Sequence, residues 1–136
     1  MTAATKNQAK LASIMYVEDD PDIQAIARLA LETIGGLAVT ICGSGQEALA
    51  AVGSGNRPGL ILLDVMMPEM DGPATLAALR TLSQTATTPT VFMTAKVQPH
   101  EVTHFKSLGA LGVISKPFDP MLLAQQIQTL WEKKND

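Results

Sequence analysis

Five short runs of consecutive apolar residues, each followed by a segment with helical spacing, constrain this chain more than any other feature. The runs are Ser13–Val17, Leu37–Ile41, Leu60–Leu63, Thr90–Met93 and Gly112–Ser115. Their apolar residues stand side by side rather than alternating with polar ones, the pattern of a parallel strand covered on both faces. Between them the spacing turns helical. In the first such segment Ile23, Ile26, Ala27, Ala30, Leu31 and Ile34 predict one apolar stripe. Proline marks the expected first helical position at Pro21, Pro73, Pro99 and Pro120, where its missing N–H loses nothing and its fixed φ suits the helix. Asp20 and Asp119 precede two of these prolines and are placed to cap. The remaining helix opens on Ser44-Gly-Gln-Glu47, which predicts a capping box. The stretch Thr81–Thr88 reads as a loop into the fourth strand.

Alternating strand–helix units imply a parallel sheet with helices on both faces. Five units are too few for an eightfold barrel and fit an open α/β fold, a flavodoxin-like doubly wound five-stranded parallel sheet in the order 2-1-3-4-5 with five helices. The expected organisation is a flexible tail over residues 1–10 and one domain over residues 11–136. In such a sheet ligands bind beyond the carboxyl ends of the strands, near the point where strand order reverses.

Composition narrows the function classes. Hydrophobic residues make up 46% and charged residues 17%, which excludes intrinsic disorder. The net charge of −3 leaves no basic excess to neutralise phosphates, so direct nucleic-acid binding is not expected. The single cysteine, Cys42, excludes an internal disulfide framework and reads as a small buried hydrophobe in a reducing compartment. No apolar stretch approaches the ~18 residues of a membrane span, and Met1–Lys10 lacks the apolar core of a signal peptide. The expectation is a cytoplasmic protein with no membrane partner.

The residues just past the strands carry the chemistry. Glu18, Asp19 and Asp20 follow the first, Asp64 the third, Thr94 the fourth and Lys116 the fifth, whereas the second ends in Ile41-Cys42-Gly43 with nothing ionisable in reach. Singly, each has an ordinary explanation: anions at a helix N-terminus, a turn aspartate, a capping threonine, a solvated lysine. Together they converge on one pocket. Carboxylates packed within a few ångströms cannot all stay ionised unless a cation neutralises them, and Mg²⁺ prefers one or two carboxylates, waters and a substrate phosphate. A metal, an ammonium and a hydroxyl make a receptor for a phosphoryl group, with one carboxylate as acceptor, and phosphoryl transfer demands mostly positioning and charge neutralisation.

Four stretches in this order and spacing are similar to those of receiver domains of two-component response regulators: Ile14-Met-Tyr-Val-Glu-Asp-Asp-Pro-Asp-Ile23, Leu62-Leu-Asp-Val-Met-Met-Pro-Glu-Met-Asp-Gly72, Val91-Phe-Met-Thr-Ala95 and Ile114-Ser-Lys-Pro-Phe118. The resemblance covers about residues 10–133 and suggests a stand-alone receiver or one cut from a longer protein. It implies that Asp64 accepts a phosphoryl group from a histidine kinase or histidine phosphotransfer protein. It implies that Asp19 ligates Mg²⁺ directly, Glu18 does so through water, and the Met66 carbonyl is a further ligand. Thr94 and Lys116 would bind the phosphoryl oxygens, and the Lys116–Pro117 bond is expected cis. Met66 and Lys96 hold positions that tune the lifetime of the aspartyl phosphate. The downstream protein target is not named by the sequence. Ala25 and Leu29, i,i+4 on the first helix away from its core stripe, offer a surface for a kinase helix.

One position departs from the family. Three residues before the lysine, where receivers usually carry an aromatic ring that swings inward, stands Val113. The expected response therefore runs through the backbone after Thr94 and the helix beginning at Pro99. Other readings compete. His100-Glu101-Val-Thr-His104 spells a zinc-protease motif, but the chain has no third histidine and Ser107 stands where the extended motif needs glycine. An aspartyl-phosphate phosphatase of the haloacid dehalogenase type needs an acid two residues after its nucleophile, and here that residue is Met66. A flavin module would need a phosphate cradle where the chain has Glu-Asp-Asp. A degenerate receiver acting as a scaffold draws its support from Val113 alone.

Overall fold

The structure, a computed structural model, describes residues 10–95 and 97–134. The tail expected at the N-terminus therefore lies, except for Lys10, outside the described residues, as does Lys96. The elements are β1 (Ser13–Val17), α1 (Pro21–Arg28, continued by a π-helical stretch Leu29–Ile34), β2 (Ala38–Cys42), α2 (Gly45–Gly53), β3 (Leu60–Asp64), α3 (Gly72–Arg80), β4 (Thr90–Thr94), α4 (Pro99–Ser107), β5 (Gly112–Ser115) and α5 (Leu123–Lys133). The five strands are all parallel in the order β2-β1-β3-β4-β5, the doubly wound α/β sheet that the alternating pattern predicts.

Each strand feeds two cores. Along β1, Ile14 and Tyr16 pack on one face with Leu60, Leu62, Met93, α1 and α5. Met15 and Val17 pack on the other with Ile61, Leu63, Phe92, α2 and α3. Strands buried on both faces have no position for a polar side chain until they end, which is why the chemistry collects there. β3 is buried from Leu60 to Asp64 and β4 from Thr90 to Thr94.

Most helix starts follow the sequence signals. Asp20 Oδ1 accepts from the Asp22 amide at 2.9 Å, with Pro21 as the first helical residue. Ser44 Oγ accepts from the Glu47 amide at 3.1 Å, but Glu47 reaches back to the Gly43 amide at 2.7 Å rather than to Ser44, so the capping box is one residue wider than predicted. Pro73 is the second residue of α3, not the first, because Gly72 already takes helical geometry and Asp71 caps the Ala74 amide at 2.9 Å. Pro120 does not open α5. Asp119 Oδ1 caps the Met121 amide at 2.9 Å to form a turn, and the helix starts at Leu123. β2 runs one residue later than Leu37–Ile41, in register with Ser13–Val17 of β1.

The stripe on α1 is narrower than its sequence suggests. Ala27, Ala30 and Leu31 are fully buried, whereas Ile26 and Ile34 are exposed. The Gly35 amide donates to the Ala30 carbonyl at 3.0 Å, five residues back. This wider turn rotates Ile34 off the stripe. Ile26 instead borders a small recess with Ile23, Lys116, Pro117 and Phe118. The Thr81–Thr88 loop is tied down by Arg80, whose guanidinium donates to the Thr85 and Thr88 carbonyls at 2.9 and 2.6 Å. Cys42 is buried at the end of β2, where burial and then the charge of Glu47 push its thiol up to about 11. No described helix is long and apolar enough to cross a membrane.

Candidate functional site

Strand register assembles the site. Val17 pairs with Leu63, so Glu18 emerges beside Asp64; Asp64 pairs with Met93, so Thr94 emerges one step on; Thr94 pairs with Ser115, so Lys116 follows. Among the described residues, the one group of three or more metal-ligating side chains is Glu18, Asp19 and Asp64, with one carboxylate oxygen from each lying within 4.8 Å of the others. Glu18 and Asp64 are buried and Asp19 is exposed. Lys116 Nζ donates to Glu18 Oε1 at 3.1 Å and to Asp64 Oδ1 at 3.2 Å. Thr94 is buried at the same strand ends, and its carbonyl accepts from the Lys116 amide at 2.9 Å. The Lys116–Pro117 peptide is cis. Met66 is 79% exposed at the rim.

The electrostatics are those of a nest in which carboxylates outnumber the ammonium. Burial, and then the charge of Glu18, push the Asp64 carboxyl up to about 6, although Lys116 and a Met66 backbone hydrogen bond pull the other way. Burial works against the Lys116 ammonium, but its bonds to Glu18 and Asp64 outweigh this and hold it above its ordinary range. One lysine thus serves two buried carboxylates with a third beside them. Oxygen donors of this type and charge fit a hard divalent cation such as Mg²⁺.

Several supports of the site were not foreseen. Tyr16 is fully buried and its hydroxyl donates to Glu18 Oε1 at 3.0 Å. Burial, then the charge of Glu18, hold that hydroxyl protonated far above its usual range. The period of two along β1 places Tyr16 on the face of Glu18, and that was the available signal. The Asp20 amide donates to Glu18 Oε2 at 3.1 Å, and Gln24 Nε2 donates to the Glu18 carbonyl at 2.6 Å. On the opposite face, the Phe92 ring meets Phe105 of α4 with centroids 4.9 Å apart. His100 and His104 are exposed on α4 and belong to no group of three metal-ligating residues among those described.

A family model described as the response regulator receiver domain matches residues 14–128. The chain belongs to that family. This receiver domain is 34% identical over 122 residues to the transcriptional regulatory protein CseB of Streptomyces avermitilis, covering 90% of this chain and 50% of the relative. It is 33% identical over 115 residues to an uncharacterized 14.6 kDa protein of Leptolyngbya boryana, covering 85% of this chain and 86% of that one. Among solved structures it is similar to the chemotaxis protein CheY4 of Vibrio cholerae, with a TM-score of 0.80, 32% identity, and coverage of 88% of this chain and 98% of that chain. The receiver domain spans about half the length of CseB.

Proposed function

We propose that this receiver domain takes a phosphoryl group onto Asp64 from a phosphohistidine of a histidine kinase or histidine phosphotransfer protein, and that the modified form switches the binding of a downstream protein in the cytoplasm. The observation that carries the reading is Asp64 itself, a carboxylate 3% exposed, set between Lys116 and the acidic residues of β1. In the transfer an Asp64 carboxylate oxygen bonds to phosphorus, the phosphorus–nitrogen bond breaks, and the imidazole leaves with a proton. A bound Mg²⁺ would supply the positive charge that neutralises the negative charge developing in the transfer. Asp19, Asp64 and the Met66 carbonyl would hold it directly, with Glu18 acting through water. Lys116 turns its ammonium to one phosphoryl oxygen, and the Thr94 hydroxyl donates to another. Met66, at the rim of the pocket, tunes the lifetime of the acyl phosphate; Lys96, the second tuning position expected from the sequence, lies outside the described residues. Beyond this self-modification no enzymatic turnover is proposed: Met66 supplies no general acid, which argues against the phosphatase reading, and the acidic loop argues against a flavin phosphate.

The donor's docking surface in this reading includes Ala25, Ile26 and Leu29 of α1, all exposed beside the pocket. The decisive test is incubation with Mg²⁺ and acetyl phosphate followed by intact mass. One added phosphoryl group is expected, lost in Asp64→Ala and in the presence of EDTA. Phosphorylation that survives Asp64→Ala would overturn the assignment, and a wild-type chain that stays unmodified would favour the scaffold reading.

Val113 supplies no ring to carry the signal. It lines a groove of about 590 Å³ with Val97, Leu122 and Leu130. The Phe92–Phe105 contact supports a different route, from Thr94 back along β4 to Phe92 and across to α4. Addition of beryllofluoride and Mg²⁺ is expected to move the backbone amides of α4, and Phe105→Leu is expected to reduce that response by about half or more while leaving those around Asp64 in place. NMR amide shifts confined to the pocket in the wild-type domain would exclude this route.

A further inference from the structure

Tyr16 is the only tyrosine in the chain. Its ring is fully buried in the core shared by β1, β3, β4 and α5, yet its hydroxyl opens onto the acidic pocket. Among the described residues the donors to the Glu18 carboxylate are three: Tyr16 and Lys116 to Oε1, at 3.0 and 3.1 Å, and the Asp20 amide to Oε2 at 3.1 Å. Two of these are fixed to β1 and the turn after it. The third, Lys116, is shared with Asp64 at 3.2 Å and reaches the pocket on a long side chain from the end of β5.

We propose, on the phosphoacceptor reading above, that Tyr16 is a positioning residue: it locks Glu18 in an outer place in the pocket and remains the donor to Oε1 when Lys116 turns to the phosphoryl group. A phosphoryl group carries about −1.5 to −2 charges and draws the Lys116 ammonium away from Glu18. A buried carboxylate oxygen left without a donor is destabilising. The Tyr16 hydroxyl prevents this, because its ring is held by the core and does not follow the lysine. The same bond restrains Glu18 from swinging inward to displace Asp19 or Asp64. In the phosphoryl-free pocket Lys116 already satisfies Oε1, so removal of the hydroxyl is felt chiefly in the loaded state.

Two measurements on the whole chain test this. In Tyr16→Phe, calorimetric titration is expected to give Mg²⁺ affinity within about twofold of wild type, but beryllofluoride affinity at saturating Mg²⁺ lower by about tenfold or more, the size of one hydrogen bond to a charged group. A purely structural tyrosine would lower the melting temperature and leave the ratio of the two affinities unchanged. Independently of any substitution, 3-fluorotyrosine places a single ¹⁹F reporter at this residue, and its resonance is expected to shift as beryllofluoride saturates the pocket. An unchanged ratio in Tyr16→Phe, or a ¹⁹F signal that stays still while beryllofluoride binds, would overturn the role of Tyr16 alone. A wild-type chain that binds no beryllofluoride, or an Asp64→Ala variant that binds it equally well, would overturn the phosphoacceptor reading and this proposal with it.

Discussion

Asp64→Asn is expected to make the metal-free domain more stable, although it removes the residue on which the proposed activity depends. In the folded chain the Asp64 carboxyl titrates at about 6 against an ordinary 3.8. Below about pH 4 the carboxyl is protonated in both the folded and unfolded chain, and Asn is close to its isostere. Between about pH 4 and 6 the unfolded chain releases the proton while the folded chain keeps it. Ionisation then favours unfolding, and the Asp64 contribution to stability falls as pH rises through this window and levels off above about 6. A rise of this size corresponds to about 3 kcal/mol at most, and relaxation around Lys116 trims it to about 1–3 kcal/mol. Urea unfolding in EDTA from pH 3.5 to 8 should show the variant and the wild type converging at the acid end and separating above pH 6. Mg²⁺ should close the gap by stabilising the wild type alone, increasingly so at higher pH, because a cation selects the ionised carboxylate. Parallel stability curves across the range would show that Asp64 is not strained by its neighbours.

Gly72→Ala is expected to be the most damaging single methyl in the domain. Gly72 is the first residue of α3, and its amide donates to the Val65 carbonyl at 2.9 Å. A Cβ there would sit 2.5 Å from the Asp64 carbonyl oxygen, 2.9 Å from Val65 Cα and 3.1 Å from Phe92 Cε1. Two of these are backbone atoms of the strand end and cannot turn aside. α3 must lift away from β3, at a cost of about 2–3 kcal/mol. The displacement passes straight to Asp64, so phosphodonor uptake should slow as well. Gly36→Ala is the control. Its φ of 70° disfavours a side chain, but a Cβ there meets nothing within 4 Å, so about 1 kcal/mol is expected and no change at Asp64. Equal losses at the two glycines by urea titration would show that close packing beneath Asp64 is not what Gly72 provides.

The parallel sheet was legible because the three inner strands β1, β3 and β4 are buried on both faces, and continuous apolar runs leave few other folds. The site was legible because a two-sided sheet confines polar groups to its strand ends, so Glu18, Asp64, Thr94 and Lys116 stood out against apolar neighbours. Tyr16 escaped notice because it stands inside an apolar run, where an aromatic ring reads as core; only its hydroxyl belongs to the site. The stripe on α1 was misjudged at Ile34 because α-helical spacing does not anticipate a π-helical turn, and at Ile26 because that residue borders the recess beside Lys116 and Phe118 rather than the core. At α5 Pro120 was expected to open the helix with Asp119 as its cap, but the two serve a turn that precedes it, and the helix starts at Leu123. Arg80 gave no sign of its task, since an arginine at the end of a helix is ordinary and its partners are carbonyls of the following loop.

The bond between Lys116 and Glu18 spans 98 residues of sequence. Loop closure over that distance is entropically uphill until the intervening strands have docked. A chain still emerging from the ribosome, or one cut short before β5, presents its carboxylates without the ammonium that orders them. The pocket is therefore a certificate of complete folding: its ammonium and its carboxylates meet only once β5 has joined the sheet.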